Sequence, residues 1–505
     1  MLQLARSWLE SCRKLHPSCS AGTSCGAMPK RLLSIEGCTT SRLLRLVELA
    51  DHGVEPAPYA CLSYCWGERQ RLVLTRHVEQ SFRTNGLQLD DLPATIKDAC
   101  ELCDSLNIPY LFVDSLCVLQ DSATDWDELS GQMGNIYSQG VLTIAAAAGT
   151  DCRDGLLSGR RWRSTRTAEL ACKNTANQQG SCHVRGRRHP TSEPLDDRGW
   201  ALQEEMLSAR LLKTGTAEMS WHCSKSFMCE SEAEFHIKDP SLAGILHDPV
   251  RIGLPSQQSL PDELWRRIVW HYCRRSLTFE KDKLSAIAGI ASWLSEHKVG
   301  DKYEGYLAGL WQSELPGDLL WFHDLPFPVE SGHAQVPNPP RAPSWSWAAY
   351  DCTYLEWMDC DTTIKTECLP GTSPSELRLE GPVKCGWLVP NGTHPEQFDF
   401  WDDSYENDST LRLPRGTSNC LGSARLDLPE PLAISDMSFA ELVSTRSRAC
   451  ACLRVAEAAG LLVRPVQEAT TGQPSRYRRV GIVQFKNGQS SRWWQESLVE
   501  SIRLI

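Results

Sequence analysis

Four carboxylates stand where a carboxylate could act on a bound molecule: Asp114, Asp121, Glu128 and Glu204. A fixed carboxylate steadies a developing positive charge or orients a hydroxyl, and it needs neither a metal nor a tightly held cofactor to do so. Asp114 directly follows the apolar run Tyr110 to Val113, so it must reach solvent at a sheet edge or find a partner inside. That edge is where open α/β sheets bind ligands. A helix N-cap or a turn-closing carboxylate is the commonplace alternative for Asp114. Glu128 lies near the start of a helix candidate, where a solvated face or a dipole partner competes with chemistry. Glu204 neighbours Gln203, and Arg198 and Arg210 are its candidate structural ion-pair partners.

The sulfur-bearing positions suggest less. Cys117 lies three residues after Asp114, but no histidine is near it in sequence, so a buried thiol is expected in place of a nucleophile. Cys100 and Cys103 form a CxxC inside a helix candidate, without a second ligand pair. Cys12, His16 and Cys19, close to Trp8, are zinc-type ligands, but they are three and a structural site closes with four. No metal site is assigned.

Elements that could position these groups follow from periodicity. Tyr59 to Gly67 (YACLSYCWG) suits a strand and a tight turn. In LPATIKDACELCDSLNI, Ile96, Ala99, Leu102, Cys103 and Leu106 recur at helical spacing and Pro93 suits the first turn. Tyr110 to Val113 is the next strand. Trp126, Leu129, Met133, Ile136 and Tyr137 then lie on one helical stripe, with Asp125 and Glu128 near its positive end, and the apolar run from Val141 is a buried strand. This β-α-β-α-β alternation predicts a mostly parallel, Rossmann-like α/β sheet.

The remainder divides by composition. Residues 1–55 read as a lead-in with one short helix carrying Leu4, Trp8 and Leu15, and residues 56–210 read as the α/β domain. Within it, 151–194 reads as a basic surface insertion containing Arg160, Arg161, Arg163, Arg185, Arg187 and Arg188. Residues 211–335 read as a helical extension, with two helices separated near Thr278. Residues 336–505 read as a β-rich C-terminal region. No repeat period and no GxxxxGK[ST] phosphate loop occurs.

Composition excludes some classes. A net charge of −11 argues against the basic surface that phosphate backbones require, so nucleic acid is not expected as the main partner. The longest apolar run, Val141 to Gly149, is far short of a bilayer span, and Arg6, Glu10, Arg13 and Lys14 interrupt any leader-like stretch. A cytoplasmic chain with reduced thiols is expected, so its 22 cysteines are not a disulfide scaffold.

The ordered motifs resemble the heterokaryon incompatibility (HET domain) family of fungal proteins. Ser63, Tyr64, Trp66 and Gly67 are similar to its opening LSYxWG element. LPATIKDA at Leu92 to Ala99 looks like the next helix start. Asp114, Cys117, Gln120 and Asp121 are similar to its strand and turn, and Trp126 and Tyr137 continue the series. Arg198, Trp200, Gln203 and Glu204 lie in RGWALQEEMLSAR, which resembles the family's RGW-x-x-QE-x-x-LS-x-R ending, and WHC at Trp221 to Cys223 follows it. WLESC-x-x-x-H-x-x-C near the start and APSWSW at Ala342 to Trp347 are also similar. Phe112 and Leu119 depart from the commoner residues at their places.

The resemblance implies a programmed-cell-death effector in non-self recognition in a filamentous fungus, triggered by a protein partner from an incompatible allele or locus, with self-association as a mechanism. HET domains have been compared with Toll/interleukin-receptor (TIR) domains, some of which cleave NAD. By that fold analogy Asp114, Glu128 and Glu204 are the catalytic candidates, with NAD a substrate and not a bound cofactor. Two other readings stay open: a HET-like protein of a secondary-metabolite pathway, and a non-catalytic adaptor.

Overall fold

The computed structural model of the chain describes residues 2–20, 28–48, 58–68, 72–156, 167–173, 179–185, 192–216, 218–223, 225–230, 232–235, 264–296, 303–323, 340–351, 355–358, 367–370, 376–390, 397–402, 420–426, 449–456, 459–467, 476–485, 494 and 498–505. These residues form two compact units. The first comprises Met1–Leu260, Arg275–Leu277 and Ser285–Trp293, and the second comprises Pro261–Arg274, Thr278–Leu284 and Leu294–Ile505.

The first unit is built on a ten-stranded sheet. Its strands are β1 (Arg31–Ser34), β2 (Leu43–Glu48), β3 (Tyr59–Ser63), β4 (Leu87–Gln88), β5 (Tyr110–Phe112) and β6 (Leu142–Ala145). A separate hairpin, β7 (Thr167–Lys173) with β8 (Gln179–Arg185), follows, and then β9 (Arg210–Thr214), β10 (Met219–Cys223), β11 (Phe227–Cys229) and β12 (Glu232–Phe235) complete the sheet. The order across it is β12-β11-β10-β9-β6-β3-β5-β1-β2-β4. Its centre, β5-β3-β6-β9, is parallel. Antiparallel strands extend that core on both sides, so the sheet is mixed and takes in segments before residue 56 and after residue 210.

β3 and β6 read as uninterrupted buried runs because both faces are covered, as parallel strands require. Each large side chain buried there contributes roughly 1.5–3 kcal/mol. The helices are α1 (Leu2–Leu15), α2 (Cys38–Ser41), α3 (Arg76–Thr84), α4 (Ala94–Ser105), α5 (Asp114–Cys117), α6 (Ala123–Ser130), α7 (Met133–Gln139) and α8 (Gly199–Leu207). α4 buries Ile96, Ala99, Leu102 and Cys103, the stripe its spacing predicts. α1 buries Ala5, Trp8, Leu9 and Cys12, while Leu15 is exposed, so its apolar face is rotated from the expected Leu4, Trp8 and Leu15 line.

One expected helix is two. The stripe from Trp126 to Tyr137 is broken at Gly131 and Gln132, which cap α6 and start α7. Ser122 is the N-cap of α6, its hydroxyl accepting from the Asp125 N–H. Of the basic insertion, residues 151–156, the β7–β8 hairpin and residues 192–194 are described; Arg160, Arg161, Arg163, Arg187 and Arg188 lie outside the described residues.

In the second unit an antiparallel path runs through Leu377–Pro390, Gln397–Asp402, Cys420–Leu426, Arg476–Phe485, Ala459–Gln467 and Ala449–Ala456, and the last of these pairs back with the first. That pairing closes the path and removes the open strand edges. Tryptophan crowds the rest of this unit, and several of its buried indoles are held by carbonyls: Trp265 and Trp347 both donate to Gly309 O at 2.8 Å, and Trp321 donates to Trp345 O at 2.9 Å. The two helices expected on either side of Thr278 are Leu264–Cys273 and Ser285–Glu296. Among the described residues no helix is long and apolar enough to cross a membrane.

Candidate functional site

Read along the chain, the parallel strands β3, β5, β6 and β9 lie in the order 2-1-3-4. The chain leaves β3 to one side for β5, then returns across β3 to form β6. In open α/β sheets such a reversal is the place, at the C-terminal ends of the central strands, where ligands bind. Ser63 ends β3, and Tyr64 to Gly67 form the turn beyond it.

Three charged side chains gather at this edge. Asp114, half-buried at the start of α5, receives the Trp66 indole N–H on Oδ2 at 2.9 Å and the Ser115 N–H on Oδ1 at 2.8 Å. Arg198, the N-cap residue of α8, donates to Tyr64 O. Glu204, one and a half turns into α8, accepts the Ser63 hydroxyl on Oε2. Around them the Tyr64 hydroxyl donates to Ser115 Oγ at 2.8 Å and the Tyr137 hydroxyl to Leu62 O at 3.2 Å. Gln120 donates its amide to the carbonyls of Asp114 and Val118, at 3.1 and 3.0 Å, and so closes the α5 turn.

The three charges set one another's protonation. Burial raises the Asp114 pKa, and Arg198, Trp66 and the Ser115 N–H only partly offset it. Burial pushes Glu204 up to about 7, against the pull of Arg198 and the Ser63 hydroxyl and with the push of Asp114 and Glu205. Burial works to lower Arg198, but Glu204 and Asp114 together hold it raised. A buried carboxyl that changes charge near neutrality beside a guanidinium, at the C-terminal ends of the parallel strands, has the kind of protonation that general acid–base groups need.

The other expected residues do other jobs. Asp121 accepts the Arg76 N–H with both oxygens at 3.1 Å, which caps α3. Glu128 lies on the exposed face of α6, 3.6 Å from Lys30 Nζ, on the solvated face that competes with chemistry for it. Cys117 is a buried thiol raised to about 12 by that burial, and Val113 N–H donates to its sulfur. Gln203 accepts the Gly289 N–H at 2.7 Å and so holds the helix Ser285–Glu296 against α8. Trp66, Trp126 and Trp200 are half-buried against the core, the last two edge-to-face at 6.0 Å. Gly67 has φ +71, and a Cβ there would fall on the Asp151 carboxylate, so glycine is required on both counts.

Two features escape sequence reasoning. Of the two arginines expected beside Glu204, Arg198 acts on it, whereas Arg210 is turned to Val141 O and Cys12 Sγ, at 3.2 and 3.3 Å. A second buried charge pair, Arg31 with Asp125, is bidentate at 3.0 Å on both arms; Arg31 also binds Glu79 at 2.9 Å, and Asp125 also accepts from Leu119 N–H and Lys30. No local signal marks it, because its partners lie 94 positions apart.

Residues 59–204, which hold nearly every group named at this edge, match the protein family described as Heterokaryon incompatibility protein (HET). The chain carries a HET domain. No curated protein and no solved structure matches the chain. The HET match begins at the first residue of β3 and ends on Glu204, so the family signature spans the parallel core and the whole charged cluster. Within the HET domain the motif residues Ser63, Trp66, Asp114, Arg198 and Glu204 are thus joined by hydrogen bonds and charge into one site, although up to 141 positions separate them.

Proposed function

We propose that the protein is a cell-death effector of heterokaryon incompatibility in a filamentous fungus, and that the Asp114–Arg198–Glu204 cluster is its working site. The observation that carries the reading is the match of residues 59–204 to the HET family, together with the convergence of its motif residues at one sheet edge. Ser63, Trp66, Asp114, Arg198 and Glu204 meet where α/β sheets bind ligands, while other motif residues, such as Asp121 and Gln203, cap and pack the surrounding helices. Recognition of a protein partner from an incompatible allele or locus, in the cytoplasm and with self-association of the HET domain, completes this reading.

A second reading is enzymatic, and the pKa of Glu204 near neutrality favours it. The 2-1-3-4 order of the parallel strands is that of doubly wound flavodoxin-like sheets, and by analogy with TIR domains NAD is the substrate class. In that reaction Asp114 or Glu204 would steady the positive charge that develops on the ribose as the glycosidic bond to nicotinamide breaks.

Regulated expression of the full chain in a fungal host, with viability and cellular NAD followed together, tests both readings. Loss of viability supports the effector reading, and simultaneous NAD depletion adds the enzymatic one. Death without NAD loss removes the enzyme and keeps the effector. Normal growth at high expression of folded protein, with the host's own incompatibility partners present, overturns the effector reading.

A further inference from the structure

Four side chains outside the charged cluster meet where α1 packs beside β10. Cys12 lies in the last turn of α1, His16 follows its end, Cys19 sits in the 3-10 turn Pro17–Ser20, and Cys223 ends β10. Their three sulfurs and one imidazole nitrogen all lie within 4.8 Å of one another. Cys223 Sγ is 3.5 Å from His16 Nδ1. The three cysteines are buried and none is in a disulfide.

Local geometry brings the first three together. His16 N–H donates to Cys12 O at 2.9 Å and Cys19 N–H to His16 O at 3.0 Å, so the chain continues to turn after the helix and C-x3-H-x2-C gathers on one side. Sequence counting stops at three ligands there. The fourth comes from a strand 207 positions after His16, and the sheet supplies it by placing β10 against α1.

We infer that Cys12, His16, Cys19 and Cys223 bind one zinc ion in a closed Cys3His site. A tetrahedral ion with Zn–S bonds of about 2.3 Å holds its sulfurs about 3.8 Å apart, so a group already within 4.8 Å closes on the metal by small side-chain shifts. Three thiolates and an imidazole favour zinc over the hard cations, which prefer oxygen. A disulfide between any two of the cysteines would leave the third sulfur and the imidazole without a use. On binding, each thiol releases its proton to solvent and His16 Nδ1 supplies a lone pair, its own proton residing on Nε2.

The surroundings suit the resulting charge. Three thiolates and a dication leave a net charge of −1, and Arg210 Nε stands 3.3 Å from Cys12 Sγ. Ser226 Oγ lies 3.3 Å from Cys223 Sγ, and Cys223 N–H donates to Ser226 O at 3.0 Å, which fixes the ligand from the outer layer. All four positions are protein side chains, so the ion has no open site for substrate and its role is to join the N-terminal helix to the sheet. Joining residues so distant in sequence restricts the unfolded chain strongly.

The experiment is metal analysis of the full chain, expressed with zinc in the medium and purified without chelator. The inference predicts about one zinc per chain and, after cobalt(II) substitution, the visible absorption of a tetrahedral thiolate site. Cys19→Ser and His16→Ala should each lower bound zinc at least tenfold, whereas Cys38→Ala, at a buried cysteine elsewhere, should leave it at about one per chain. Should the ligand variants fail to fold, the wild-type reading still decides. A folded wild-type chain holding less than a tenth of a zinc, with cobalt giving no thiolate spectrum, overturns the inference.

Discussion

The hydroxyl of Ser63, the last residue of the central strand β3, donates to Glu204 Oε2 in α8, 141 positions later. This bond ties the opening of the HET match to its end and fixes where the Glu204 charge appears. It also shows why Glu204 titrates unusually: one hydroxyl and the charge of Arg198 are too little to offset its burial.

Glu204 should impose a measurable pH dependence on stability. Its folded pKa, about 7, lies above the unfolded value of about 4.5, so between those two pH values the folded state binds more protons. Stability from this group is therefore greatest at low pH, declines as pH rises through that window and is level above it, a loss of about 3 kcal/mol. Thermal melts of wild type and Glu204→Gln across the window check this. The variant should lose most of the decline, the remainder belonging to Asp114; an unchanged slope contradicts the protonation assigned here.

The Arg31–Asp125 pair should be costly to break singly. Asp125→Ala leaves a guanidinium buried without its bidentate partner and is expected to cost about 3–5 kcal/mol. Replacing both, as Arg31→Met with Asp125→Leu, should recover a large part of that loss. Urea unfolding of the three variants tests the coupling, and simple additivity of the single losses would show that the charges do not act as a pair.

Gly289 and Gly134 should each resist a single methyl group. A Cβ on Gly134 would lie 2.8 Å from Gly289 Cα, and one on Gly289 would lie 2.6 Å from Gln203 Oε1. Gly289→Ala therefore forces the helix away from α7 and disrupts the Gln203 hydrogen bond, at an expected cost of about 1–3 kcal/mol. Hydrogen exchange of the Gly289 amide reports it directly: faster exchange in the variant is expected, and unchanged protection would show that the helices are not in close contact.

Much of the fold is legible in the residues. Strands β3, β5 and β6 and helix α4 follow from uninterrupted apolar runs and three- and four-residue spacing, and the position of Asp114 after an apolar strand is enough to place it at the sheet edge. Arg198 and Arg210 can both be named as partners for Glu204 from their nearness in the chain, but only the fold chooses Arg198, because Arg210 is turned to Val141 O and Cys12 Sγ. What sequence alone leaves out is set by long-range pairing. β1 adds to the sheet beside β5 through backbone bonds that no side-chain pattern announces. The Arg31–Asp125 pair depends on that same strand. The break between α6 and α7 sits inside a stripe that keeps helical spacing across Gly131, so periodicity reads through it. Cys223 joins Cys12, His16 and Cys19 only because β10 lies beside α1.

The central claim, that the charged cluster of the HET domain does the work, is tested most directly by viability of a filamentous fungal host expressing wild type or Glu204→Gln from a regulated promoter, at matched protein level and with matched folding. Gln keeps the size of Glu204 and can still accept from Ser63, so only the titrating charge is removed. The account predicts that wild type abolishes growth on induction and that Glu204→Gln restores it to near the uninduced level. Equal killing by both proteins would contradict it, and would assign the cluster to architecture alone.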